Sequence, residues 1–145
     1  MALIVVKFGG TSVADPSRIE RAADKVLAET QRGNRVVVVV SAMAGVTNQL
    51  VEYCAQISDD HMSSEYDAVV ASGEQITTGL MALALQKRGL NSHSYMGWQV
   101  PLICNDQHGR ARITDIPPDK LSKILGAGIV PVVAGFQGVT KDGRI

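Results

Sequence analysis

The sequence predicts an α/β fold around a largely parallel sheet, and three observations carry that prediction. Apolar, β-branched runs alternate with stretches of helical periodicity along the whole chain, the pattern of parallel strands joined by crossover helices. The valine run at 36–40 has no polar residue in alternation, as expected of a strand covered on both faces. Three of the most apolar runs end alike, in "VVKFGGTS", "VVVVSAMAG" and "VPVVAGFQG". In open α/β sheets ligands sit beyond the carboxyl ends of strands, so small-residue loops gathered there would line a cleft.

Taken in order, residues 3–8 (LIVVKF) are short, apolar and bounded by Gly9 and Gly10, which predicts a buried strand. "ADPSRIERAADKVLAETQRGN" predicts a helix capped by Asp15, with Pro16 at its first position and Gly33 or Asn34 ending it. Ile19, Ala22, Ala23, Val26 and Leu27 fall on one face of it. After the valine strand a second helix is expected from about Thr47 to Ile57, with Leu50, Val51, Cys54 and Ile57 inward. "SDDHMSS" is a polar connection, and residues 65–71 lean towards helix.

"SGEQITTGLMALALQKRG" predicts a helix stopped by Gly89. "NSHSYM", "VPLIC" and "ARITDI" predict short strands, and "PPDKLSKILGAG" a capped helix. "IVPVVAGFQGV" is another buried strand, and "TKDGRI" a turn entering a further strand. No repeat or low-complexity segment interrupts the 145 residues, enough for one domain or a piece of a larger one.

Charge narrows the function classes. Lys plus Arg number 14 and Asp plus Glu 14, so no overall field favours nucleic acid or an anionic membrane. Cys54 and Cys104 lack metal-type spacing and predict buried free thiols in a reducing compartment. The start carries no cationic segment before its apolar run, and no run approaches the roughly 20 residues that span a bilayer. The expected location is the cytoplasm.

Lys7 is the first candidate for chemistry. It stands where a strand ends, with Gly9 and Gly10 offering N–H donors and no side-chain obstruction to a phosphate. The alternative is a strand-end lysine reaching water. The pattern is neither a Walker A loop nor G-x-G-x-x-G, which argues against a dinucleotide-binding oxidoreductase. Ser41, Thr47 and Asn48 follow the valine strand; Thr47 or Asn48 is expected to cap the next helix. Ser72 and Gln75 have capping-box spacing; Glu74 suits the helix dipole in a first turn, and its functional role would be to hold an ammonium group. His61, His93 and His108 are scattered and form no metal set. Arg110 and Arg112 are expected to share a strand face, mostly at the surface, and Trp98 to anchor packing.

Four blocks, "VVKFGGTSVAD", "VVVVVSAMAGVTNQL", "ASGEQIT" and "VVAGFQGVTKDGRI", together resemble the aspartokinases of the amino acid kinase family in order and spacing. The resemblance implies a three-layer sandwich around a mostly parallel sheet. It also implies ATP-dependent phosphorylation of the L-aspartate side chain to 4-phospho-L-aspartate, the first step towards lysine, threonine and methionine. By motif, Lys7 would neutralise charge on the transferring phosphoryl group. Phe8, Gly9, Gly10, Thr11, Ser12 and Ser41 would line the phosphate path. Thr47, Asn48 and Glu74 would bind aspartate.

Mg2+ would accompany ATP without ligands from these residues, and the parent enzyme would be a homo-oligomer. The chain stops where an aspartokinase would continue into T-T-L-G-R-G-G-S-D. Residues 1–145 are therefore expected to be the aspartate-side portion of an incomplete kinase domain, lacking the nucleotide-holding half and regulatory ACT domains. A non-catalytic amino-acid-binding or folding fragment is the alternative.

Overall fold

The computed structural model describes all 145 residues. Its elements run β1 (Leu3–Phe8), α1 (Pro16–Gln31), β2 (Arg35–Val40), α2 (Val46–Ile57), α3 (Ser64–Val70), α4 (Gly73–Lys87), β3 (Ser92–Tyr95), β4 (Ile103–Cys104), β5 (Ile113–Asp115), α5 (Pro118–Gly126) and β6 (Val130–Ala134). A 3-10 turn at Gly10–Val13 follows β1. Four strands form one sheet in the order β1-β2-β6-β3, with every neighbouring pair parallel. β4 and β5 form a separate antiparallel pair. This is the α/β architecture that the alternating pattern predicts.

The valines of β2 divide between two layers. Val36, Val38 and Val40 pack with Ile19, Ala22, Ala23 and Val26 of α1 and Met81 and Leu85 of α4 in the larger core. Val37 joins Val133 and Leu125 of α5 in a smaller core on the opposite face. Period-two side-chain alternation does this sorting. α1 begins as its sequence dictates: the Asp15 carboxylate accepts the Arg18 N–H at 2.8 Å, and Pro16 opens the first turn. α1 and α4 are clamped by Arg88, whose guanidinium donates to Asp24 at 2.7 Å and to Glu20 at 2.5 Å. Arg88 and Lys87 hold the Glu20 carboxyl below its usual range.

Several expectations are corrected. β1 is an edge strand, not a buried one: Leu3 and Val5 are 53% and 64% exposed, because β1 has a neighbour on one side and thin cover on one face. α2 buries no residue fully, and Ile57, expected inward, is 89% exposed at its last turn. Cys54 and Cys104 are half-buried rather than buried, and burial raises the Cys104 thiol. Trp98 is 41% exposed and anchors no core.

"VPLIC" contributes only Ile103 and Cys104 to a strand, since residues 98–101 form turns. Arg110 and Arg112 precede β5 and lie in an exposed loop, so no strand face unites them. "TKDGRI" closes its turn with the Thr140 N–H on the Arg144 carbonyl at 2.8 Å, and residues 140–145 form no strand. The helical run Ser64–Lys87 is long and apolar enough, by length and composition, to cross a membrane. Ala71 and Ser72 divide it into α3 and α4. Its α4 part packs into the larger core through Met81, Ala82, Ala84 and Leu85.

Candidate functional site

The register of the sheet brings three strand ends level. Lys7 pairs with Val39, Phe8 with Val40, and Val40 with Ala134. The ladder continues one residue beyond: the Ser41 N–H donates to the Phe8 carbonyl at 3.0 Å and the Gly135 N–H to the Val40 carbonyl at 2.8 Å. The loops after β1, β2 and β6 therefore leave from one rim, as the sequence predicts.

Alternation along β1 sends Lys7 and Phe8 to opposite faces. Phe8 is in the larger core, so its side chain cannot line a phosphate path, and only its backbone belongs to the rim. Lys7 is exposed and lines a cavity of about 890 Å³, shared with Val39, Thr47, Gly135 and Phe136. Gly9 is exposed, with no atom within 4 Å of where a Cβ would stand. Thr11 and Ser12 sit exposed in the 3-10 turn, where the Thr11 carbonyl accepts the Arg18 guanidinium at 2.7 Å. Ser41 is half-buried.

The expected caps are not where the sequence places them. α2 begins at Val46, and its N-cap is Gly45 at φ 84°, a left-handed conformation. Thr47 and Asn48 thus occupy the first turn. Thr47 is half-buried against the cavity, whereas Asn48 is exposed outside it. Ser72 makes no capping bond either. It is helical at φ −70° and ψ −21°, because α3 runs almost directly into α4, and its hydroxyl donates back to the Val69 carbonyl at 2.7 Å.

Glu74 is 2% exposed. Its Oε1 accepts the Ala42 N–H from the β2 loop at 3.0 Å, while its Oε2 is buried without a partner. Burial raises its pKa, and the Ala42 N–H partly offsets that. The approach depends on Gly73: a Cβ there would stand 2.9 Å from the Ala42 Cβ and 3.1 Å from Val46. A buried carboxylate with an unused oxygen fits a cationic donor, since burying a charge is costly unless it is paired.

Sequence reasoning missed two residues on the rim. Phe136 is 71% exposed and adopts φ 54°, the one non-glycine residue at positive φ. Phe136 lines the same cavity as Lys7, so this strained backbone stands at its edge. Gln137 is buried and bonds through both ends of its amide, accepting from the Gly97 N–H and donating to the Ala71 carbonyl. The available signal was a polar residue between glycines directly after a buried strand. His108 serves structure, with its Nδ1 2.8 Å from Asp67. No three His, Cys, Asp or Glu side chains stand together as a metal set. The ammonium of Lys7 at the rim fits anionic oxygens, and the unused acceptor oxygen of Glu74 fits an ammonium.

Comparison with known proteins gives a consistent relationship. The amino acid kinase family profile matches residues 2–145. The aspartokinase of Rickettsia bellii is 45% identical over 148 aligned residues, covering 100% of this chain and 36% of the relative. Aspartokinase 2 of Bacillus subtilis is 48% identical over 145, again covering 100% and 36%. The crystal structure of E. coli aspartokinase III in complex with aspartate and ADP superposes with a TM-score of 0.82 at 25% identity, covering 99% of this chain and 42% of that one. The chain thus spans about a third of the length of these curated relatives.

Proposed function

The chain belongs to the amino acid kinase family, and on that premise we propose that it forms the aspartate-side portion of an aspartate kinase. The reaction would transfer the γ-phosphoryl group of ATP to the side-chain carboxylate of L-aspartate. One observation carries the reading: a buried carboxylate with an unused oxygen, Glu74, adjoins the same set of strand ends that carries the ammonium of Lys7. Those two charges match the two ends of the task, a substrate ammonium and a transferring phosphoryl group. Two curated relatives named aspartokinase, and a structure named as holding aspartate and ADP, support it.

A carboxylate acceptor, with a reference pKa of about 4, is already ionised at neutral pH. No general base is required, and catalysis reduces to positioning and charge stabilisation. Lys7 would neutralise phosphoryl oxygens. Backbone N–H groups of Gly9, Gly10 and Thr11 would line the phosphates, with the Ser12 and Ser41 hydroxyls beside them, since the Ser12 N–H is already donated to the Gly9 carbonyl. Thr47 would contact aspartate through its hydroxyl, with Asn48 next to it, and Glu74 would hold the α-ammonium. Mg2+ arriving with ATP would add charge neutralisation at the phosphates. The precursor role in lysine, threonine and methionine synthesis, a cytoplasmic location and homo-oligomeric assembly belong to the same proposal.

The test has two parts. Calorimetry with L-aspartate asks whether the 145 residues bind substrate. Hydroxylamine trapping of the acyl phosphate, with ATP and a chain of the relatives' full length, asks about turnover. Acyl-phosphate formation that depends on both substrates is expected. Equal formation with L-glutamate in place of L-aspartate would defeat the assignment.

A further inference from the structure

One buried amide joins three segments at the Glu74 end of the site. Gln137 Oε1 accepts the Gly97 N–H at 3.1 Å, and Nε2 donates to the Ala71 carbonyl at 2.6 Å. Gln137 follows Phe136 on the β6 rim, Gly97 lies in the turn after β3, and Ala71 caps α3 just ahead of α4. The backbones also touch. A Cβ on Gly97 would stand 3.0 Å from both the Cβ and the carbonyl oxygen of Gln137, so this approach requires glycine.

The start of α4 is therefore held to the rim twice. The Glu74 carboxylate ties it to the β2 loop through Ala42, and Gln137 ties it to the β6 loop through Ala71. The two ties restrain the first turn of α4 from two different loops, in addition to its packing in the core. Ala71 is three residues from Glu74, so a displacement of one is passed to the other along the helix. A misplacement of about 1 Å at a binding group is enough to cost orders of magnitude in rate.

We propose that Gln137 is a positioning residue, holding the start of α4 against the β6 rim so that Glu74 and the Gly135–Phe136 segment keep a fixed separation. This rests on the aspartate-binding reading above and extends it to a side chain that touches no substrate.

The test compares Gln137→Met and Gln137→Glu with wild type in the full chain, reading amide hydrogen exchange as protection factors. Gln137→Met keeps the volume and removes both hydrogen bonds. Protection at Gly97 and at the remote Ala42 N–H is expected to fall about tenfold, the scale of a buried hydrogen-bond loss. Gln137→Glu keeps an acceptor for Gly97 but, once ionised, presents a carboxylate in place of a donor to the Ala71 carbonyl, and burial raises the pH at which it ionises. The ionised variant should lose Ala42 protection as the methionine variant does while sparing Gly97.

L-aspartate affinity should fall with Ala42 protection across the variants, with ATP affinity unchanged. Loss confined to Gly97, with Ala42 as protected as in wild type, would overturn the proposal. So would an L-aspartate affinity in Gln137→Met equal to that of wild type. A wild type that binds no aspartate would overturn the substrate assignment instead, while the exchange data still decide the role of Gln137.

Discussion

The Glu74 carboxylate and the Ala42 backbone amide, 32 residues apart in the chain, meet at 3.0 Å. That bond ties the first turn of α4 to the loop after β2 and leaves Oε2 unpartnered. Removing the charge from Glu74 should therefore separate stability from binding. Its pKa is raised by burial, so its favourable contribution is present below the unfolded value and lost as pH rises through the folded one. Glu74→Gln is expected to match wild type in thermal midpoint near pH 4 and to exceed it at about pH 7.5. Aspartate affinity should fall sharply over the same range. Differential scanning calorimetry at both pH values, with isothermal titration alongside, checks this.

Lys7 tests the opposite charge. It is exposed on an edge strand and packs in neither core, so Lys7→Ala should change folding stability by no more than about 0.5 kcal/mol. If its ammonium meets the transferring phosphoryl group, turnover should fall by about 100- to 1,000-fold. Denaturant unfolding and steady-state kinetics measure the two effects. Turnover within a few-fold of wild type would remove Lys7 from the reaction centre.

Gly73 offers a steric test of the same arrangement. In Gly73→Ala the new methyl would stand 2.9 Å from the Ala42 Cβ, pushing the β2 loop away from Glu74. A destabilisation of about 1–3 kcal/mol is expected from the overpacking. The Ala42 amide should also exchange faster with solvent. A variant as stable as wild type would show that the loop yields freely.

The two ends of the burial scale give a control. Met81 is fully buried between α4 and the sheet, so Met81→Ala should cost about 2–5 kcal/mol. Ile57 ends α2 in solvent, and Ile57→Ala should change stability by no more than about 0.5 kcal/mol. Chemical denaturation of both variants checks the inside-out assignment of α2.

Much of the fold is legible because local and tertiary signals agree. Asp15 and Pro16 start α1 where the sequence places them, and the five valines of β2 are covered on both sides. The misreadings arise where tertiary geometry overrides a local motif. Ser72 has the spacing of a capping residue, but the near-continuity of α3 and α4 turns its hydroxyl back to Val69. Thr47 and Asn48 yield the cap to Gly45, whose left-handed backbone is invisible to a side-chain rule. β1 reads as buried because composition does not reveal that a strand lies at a sheet edge. Of the candidate site, the meeting of three strand ends was legible, while the contacts of Gln137 were not. Its two partners are backbone groups 66 and 40 residues away in sequence.

The level pairing of Phe8, Val40 and Ala134 carries a consequence for the ammonium itself. Because side chains alternate, a slip of one residue between β1 and β2 would swing Lys7 into the oily side beneath α1 and drive Phe8 out into water. The valines exclude that exchange, since each is already committed to a layer. The address of the one cation on β1 is thus written by its apolar neighbours, and a single-residue deletion ahead of it would silence the charge without touching it.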